Sequence, residues 1–438
     1  MNSERCSLFT INYNDMKKQL LLCLAGLLIT LPASAQFDTW FYPKTLRLDF
    51  QHAGDQQHEA LFFDELLEEP HWGGSRTNLI DTNFYGNYYL NVYDHLSNQL
   101  IYSRGFCTLF GEWRTTDEAK TTRRSYSGSV VMPFPQSPIR VEIVVRNAQG
   151  EWEKKLEHAV DPSNYFIKKD RRLSYPSFEV LSSGNPENCI DIVLLPEGYT
   201  EEEMEKFKTD CQAFVTGLFS FSPYKEHLHL FNVQAVLAPS PQSGADIPRN
   251  GIWKNTLLNA SFYTFDMDRY IMTTDYKSVR DMAANVPYDF IYIIANSSRY
   301  GGGAIYNHYG LSVSGNSMAA KVYVHEFGHL LLGLGDEYMG GATYNDMYPA
   351  GIEPWEANLT TLVQFEKKWK DMLDKDTPIP TPIDPANYQK LGVYEGGGYV
   401  TKGVYRPRPD CLMNTLGGTD FCPVCTRAIV KQIQFYTE

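Results

Sequence analysis

Five residues, His325-Glu-Phe-Gly-His329, with Gly333 close behind them, constrain this 438-residue chain more than any other feature. On an α-helix, residues four apart differ by about 40° in azimuth and about 6 Å in height, so both imidazoles must face one point. Ser317 is the expected cap of that helix and Leu332 its expected last residue. Gly333 then stops it, because glycine takes the left-handed cap without strain and lets the chain reverse.

The chemistry follows from the same spacing. Zinc binds imidazole nitrogen at about 2.0–2.1 Å, and two rings one turn apart can share one ion. Glu326 lies beside such an ion and can take a proton from a water that the metal has acidified. The pattern is that of the metalloprotease helix. A third protein ligand is needed. On a straight helix Asp336 would lie about 10 Å past His329 along the axis, too far to share the ion. A reversal at Gly333 brings it back, so Asp336 is the expected third ligand of one catalytic zinc, with Glu337 as its competitor.

Length and charge set the surroundings. A chain this long is expected to form two domains. A formal net charge of -13 argues against a nucleic-acid partner, which needs a basic face. At the start, Met16-Lys-Lys18, an apolar run from Leu20 to Leu31 and Ala33-Ser-Ala35 read as a signal peptide, residues 1–35, with Gln36 opening the mature chain. The expected location is therefore periplasmic, cell-surface or extracellular, with no membrane span after cleavage. The apolar run is shorter than the roughly 20 residues of a spanning helix.

Residues 36–165 read as an N-terminal β-sandwich. Lys44–Phe50, Tyr88–Tyr93 and Ile139–Val145 alternate or cluster β-branched and aromatic residues. This half is expected to act as a scaffold or to bind a glycan or protein ligand. Turn formers between Asp161 and Pro186 place the boundary there. Residues 185–438 change rhythm. Cys189–Leu195, Leu230–Val236 and Asp289–Ile294 are expected strands, and Thr200-Glu-Glu-Glu opens an expected helix to Phe219. Strands alternating with helices make this an α/β catalytic domain, and the chain as a whole α+β.

Other residues carry weaker signals. Gly301 to Tyr306 reads either as an edge strand that pairs with an extended peptide, through Gly302, Gly303 and Ala304, or as a surface loop. His308 reads as a polar loop residue, and His227 and His229, two apart, as unpaired. Tyr338, Tyr399 and Tyr405 are candidate oxyanion donors or structural tyrosines. Cys422-Pro-Val-Cys425 lacks the second cysteine pair of a zinc knuckle, and a disulfide from Cys411 to Cys422 or Cys425 is the plainer expectation in an exported chain.

The second half resembles the metzincin metallopeptidases: helix motif, glycine turn and a Met-turn, Cys411-Leu-Met413-Asn414, occur in that order. It departs from them in placing Gly333 four residues after His329, where three is usual, and in offering Asp rather than His as third ligand. More closely, it resembles the IgA-peptidase family of bacterial zinc metallopeptidases, through Asp191–Tyr199, His325–His329, Leu334–Tyr338, Tyr405–Pro407, Cys411–Met413 and Phe421–Cys425. The resemblance covers about 185–438 and implies a zinc endopeptidase with a protein or peptide substrate and Met413 as an apolar floor under the metal. It leaves open whether that substrate is immunoglobulin A. Two other readings stand beside it, a non-catalytic adhesin or glycan-binding protein on a peptidase scaffold, and a zinc amidase.

Overall fold

The computed structural model describes residues 33–147, 149–169, 174–340, 348–349, 351–385 and 387–438, with side chains from residue 36 onward. The charged and apolar part of the expected signal peptide, up to residue 32, lies outside them. A short helix, α1 (Ala33–Trp40), spans the expected mature start at Gln36.

The front half is built from β1 (Phe41–Gly54), β2 (Glu59–Glu69), β3 (Tyr88–Asp94) and β4 (Leu100–Phe106), a short helix α2 (Leu109–Trp113), then β5 (Arg124–Pro135), β6 (Ile139–Arg146) and β7 (Trp152–Val160). They form two antiparallel sheets, ordered β2-β1-β5 and β4-β3-β6-β7. Side chains alternate across a strand, so Ile139, Val141, Ile143 and Val145 of β6 all point one way. They meet Leu46, Leu48 and Phe50 of β1 in one apolar core enclosed by both sheets.

The second half holds β8 (Ser177–Leu181), β9 (Ile190–Glu197), α3 (Met204–Leu218), β10 (Phe231–Val236), α4 (Tyr276–Ala283), β11 (Phe290–Ala295), β12 (Gly302–Ile305), β13 (Tyr309–Val313) and α5 (Ala319–Leu332). A hairpin of β14 (Tyr394–Gly397) and β15 (Val400–Arg406) and a last helix, α6 (Pro423–Thr437), follow. Six strands make one mixed sheet, β12-β13-β11-β9-β10-β8. β9 and β11 lie in its centre with parallel neighbours on both sides, and every residue of both is buried. That double burial is why they read as unbroken apolar runs. Ile192 and Leu194 face α3, α5 and α6, while Val193 and Leu195 face α4. β8 pairs antiparallel with β10, so part of the expected linker between 161 and 186 belongs to this sheet.

The halves are joined by buried contacts. Phe110 and Trp113 of α2 enter the core on the α4 side of the sheet. Arg47 of β1, 1% exposed, grips Asp49 through Nε at 2.7 Å and reaches Asp281 of α4 through Nη1 at 2.7 Å. Beside it the Tyr288 hydroxyl donates to Glu69 at 3.1 Å. The front domain is thereby fixed against the α4 face of the sheet, opposite the face on which α5 packs.

Candidate metal centre and active-site cleft

α5 brings His325 and His329 to one face, as the four-residue spacing requires. Each ring is aimed by a backbone carbonyl: His325 Nδ1–H donates to Leu412 O at 2.8 Å and His329 Nδ1–H to Leu334 O at 2.5 Å. In the neutral rings both Nε2 atoms therefore carry lone pairs, and they stand 3.1 Å apart. The expected cap at Ser317 is not made. The helix starts at Ala319, and Asn316 Oδ1 accepts from Met318 N–H at 2.9 Å one turn earlier.

Gly333 ends α5 in the left-handed region (φ 64°, ψ 45°), with Gly333 N–H bonded to His329 O and Leu334 N–H to Gly328 O. A Cβ here would stand 2.2 Å from Trp355 Cη2, so glycine is required on two counts. The reversal carries Asp336 back. Its Oδ1 lies 3.2 Å from His325 Nε2 and 3.4 Å from His329 Nε2. Its Oδ2 accepts the Tyr399 hydroxyl, which the tip of the β14–β15 hairpin presents. Glu337 turns the other way and is fully buried.

Three candidate ligand atoms thus converge, and a metal ion would take the place of any proton held between them. Asp336 Oδ1 is buried and has no hydrogen-bond partner. Burial opposes charging His329, yet Asp336 outweighs it and lifts the imidazole to about 9. Burial likewise opposes Asp336, and the two imidazoles hold its carboxyl well below the usual range. The cluster demands positive charge at its centre. Ligand atoms of a tetrahedral zinc stand about 3.3 Å apart, and the edges found here are 3.1, 3.2 and 3.4 Å. The residues fit such an ion.

Glu326 follows His325 on the same helix and is 9% exposed, at the cleft wall. Burial, with Asp336 adding to it, raises its carboxyl above the ordinary value despite the two imidazoles. A Cβ on Gly302 would come within 3.0 Å of Glu326 Oε1, so the glycine leaves the carboxylate its space. Gly302, Gly303 and Ala304 all line the cleft, on β12 at the edge of the sheet. Met413 is buried under α5, where a Cβ on Gly328 would lie 3.1 Å from its sulfur. It belongs to a tight turn in which Cys411 O accepts from Asn414 and Thr415 N–H.

The cleft has a volume of about 1190 Å³ and is walled by both halves of the chain. Glu112 of α2 faces it, bonded to the Tyr270 hydroxyl and raised to about 7 chiefly by burial. Arg269 Nη2 donates to Tyr338 Oη at 2.9 Å, beside Tyr399. Glu112, Arg269 and Tyr270 carried no signal in the sequence. Tyr399 had one, the three glycines before it, which take positive φ and turn the hairpin tip toward Asp336. Tyr405 is paired through its backbone to Thr360 and does not line the cleft.

Two further expectations are corrected. His308 is buried against the Tyr276 ring at 3.7 Å instead of lying in a polar loop. The expected disulfide is absent: the described cysteines are all free, and Cys411 and Cys425 sulfurs stand 3.8 Å apart, where a disulfide needs about 2.05 Å.

A family model described as IgA Peptidase M64 matches residues 178–391 and 383–433. The chain belongs to the IgA peptidase M64 family. A second model, described as Peptidase M64 N-terminus, matches residues 36–157. This M64 member is thus a peptidase, a hydrolase with a protein or peptide substrate, and its front half is the family's N-terminal domain. No curated protein matches the chain. Among the described residues no helix is long and apolar enough to cross a membrane.

Proposed function

We propose that this M64 peptidase is an exported zinc endopeptidase of metzincin-like design, in which His325, His329 and Asp336 hold the ion and Glu326 is the general base. The observation that carries the reading is the convergence of two imidazole Nε2 atoms and one orphaned carboxylate oxygen within 3.4 Å, next to a buried carboxylate in a wide cleft. When bound, zinc supplies a Lewis acid that acidifies a water near neutral pH and polarises a carbonyl.

The protein's own residues do the rest. Leu412 O and Leu334 O fix the imidazole tautomers, so that Nε2 is the ligand atom on both rings. The Tyr399 hydroxyl ties down Asp336 Oδ2 and leaves Oδ1 for the ion. Glu326, raised by burial, accepts a proton from the attacking water and returns it to the leaving amine nitrogen.

An extended substrate can pair with the β12 edge at Ala304, beyond Gly302, whose own outer edge is taken by Arg269 and Tyr270. Gly302 turns its N–H away from β13 to Arg269 O at 3.2 Å. Alternate residues of a strand face alike, so Ala304 offers its N–H and C=O outward as well, toward the cleft. Glu112 and Arg114 of the front domain line the same cleft, which makes that domain part of the substrate wall.

The test is cleavage of a mixed peptide library by the purified chain, read as new termini by mass spectrometry. Cleavage that stops with a zinc chelator and returns with added zinc is expected. Cleavage indifferent to chelation, or none of any peptide by a zinc-loaded chain, contradicts the proposal.

A further inference from the structure

Behind the cleft, Glu337, Cys411, Cys422 and Cys425 are all fully buried, and one ligand atom from each lies within 4.8 Å of every other. We propose that these four side chains form a second, structural metal site, a thiolate-rich zinc site that locks Asp336 and the Met413 turn in place.

Two edges of the cluster have the lengths of a metal tetrahedron, and no edge exceeds 4.8 Å. With zinc–sulfur bonds of about 2.3 Å and a zinc–oxygen bond of about 2.0 Å, the edges should be about 3.8 Å between sulfurs and about 3.5 Å between sulfur and oxygen. Cys411 Sγ and Cys425 Sγ are 3.8 Å apart, and Cys425 Sγ is 3.3 Å from Glu337 Oε1. The sulfurs also receive the outer hydrogen bonds that orient metal-bound thiolates. Cys422 N–H donates to Cys411 Sγ at 3.2 Å and Cys425 N–H to Cys422 Sγ at 3.4 Å.

Charge and orphaned groups point the same way. Glu337 Oε2 is buried with no hydrogen-bond partner, which is costly for a carboxylate unless a cation meets it. Asn358 Nδ2 holds the other oxygen at 2.9 Å. Cys422 is the N-cap of α6, where the helix dipole favours a thiolate. Arg406 and Arg408, both buried, act on Glu337 and on Cys411 and Cys422, and offset the negative charge that three thiolates and a carboxylate would leave around one divalent ion.

The site has a structural task that its position defines. Glu337 directly follows Asp336, and its N–H donates to Met413 O at 2.8 Å. Cys411 is two residues before Met413, and Leu412 between them supplies the carbonyl that aims His325. One buried ion would thus tie the Asp336 turn, the Met413 turn and α6 together. It would also hold the thiols as ligands, where the compartment of an exported chain would otherwise oxidise them.

The experiment counts zinc per chain in the full-length mature protein and in the double variant His325→Ala/His329→Ala, and reads the ligand shell by X-ray absorption. Two ions are expected in the parent chain. One is expected in the variant, with a shell dominated by sulfur at about 2.3 Å. Because the variant lacks the imidazoles, this readout is independent of any peptidase activity. Adding Cys425→Ser should remove the remaining ion; if that chain does not fold, the sulfur shell of the double variant decides. A variant free of metal, a shell of nitrogen and oxygen only, or a disulfide among Cys411, Cys422 and Cys425 in the intact mass of the chain overturns the proposal.

Discussion

Asp336 and Glu337 are consecutive residues whose carboxylates enter different clusters: Asp336 Oδ1 lies 3.2 Å from His325 Nε2, and Glu337 Oε1 lies 3.3 Å from Cys425 Sγ. One extended step of backbone after the Gly333 turn thus serves both sides of a thin wall. A change at Asp336 should act on the imidazole cluster alone.

Asp336→Ala removes a direct ligand and should cost one equivalent of zinc. Tyr399→Phe removes only the hydroxyl that holds Asp336 Oδ2. It should weaken zinc binding by about 10–100-fold, the usual worth of an outer partner. Competition with a chromogenic chelator measures both. An unchanged zinc affinity in Asp336→Ala would move the third ligand elsewhere.

Gly333→Ala tests the turn itself. A left-handed alanine costs about 1–2 kcal/mol, and overpacking against Trp355 adds about 1–3 kcal/mol. Urea unfolding should show the sum, and zinc content should fall with it because Asp336 is displaced. Stability equal to the parent chain would mean that the turn tolerates a Cβ.

Those parts of the site were legible because they are local. Two imidazoles one turn apart, a glycine and a carboxylate beyond it are set by helix geometry within a dozen or so residues (about three turns). The cluster of Glu337 with three free cysteines is not legible in the sequence, which points to a disulfide, for the opposite reason. Its fourth member, Glu337, lies far upstream of the cysteines and was masked by standing next to Asp336 as a rival ligand. Glu112 was invisible because it comes from the other domain, and only the packing of α2 against the sheet delivers it to the cleft. β9 and β11 were legible from their apolar runs. β8, whose residues are half-exposed, lacked that signal and fell inside the expected linker.

Arg47 joins the domains through buried charge. Arg47→Ala leaves Asp49, Glu69 and Asp281 without their cation and should cost about 3–5 kcal/mol in urea unfolding. A loss under about 1 kcal/mol, as for exposed pairs, would show that the network does not hold the halves together.

Asp191, 2% exposed at the start of the central strand, is pushed up to about 7 by burial, although Asn232 donates to it. An unfolded aspartate titrates near about 3.9, so the folded state binds the extra proton between these values. Its share of stability is present below pH ~4 and is lost as pH rises through about 7. Asp191→Asn should therefore flatten the fall in thermal midpoint between pH ~4 and pH ~7. Parallel pH curves for the variant and the parent chain would refute this assignment.

The most direct measurement of the central claim is the activity and zinc content of Glu326→Ala beside the parent chain. The zinc content should be unchanged, because Glu326 is not a ligand, while peptide cleavage should fall by about 10²-fold or more, as for loss of a general base. Full cleavage by the zinc-loaded variant would contradict the account.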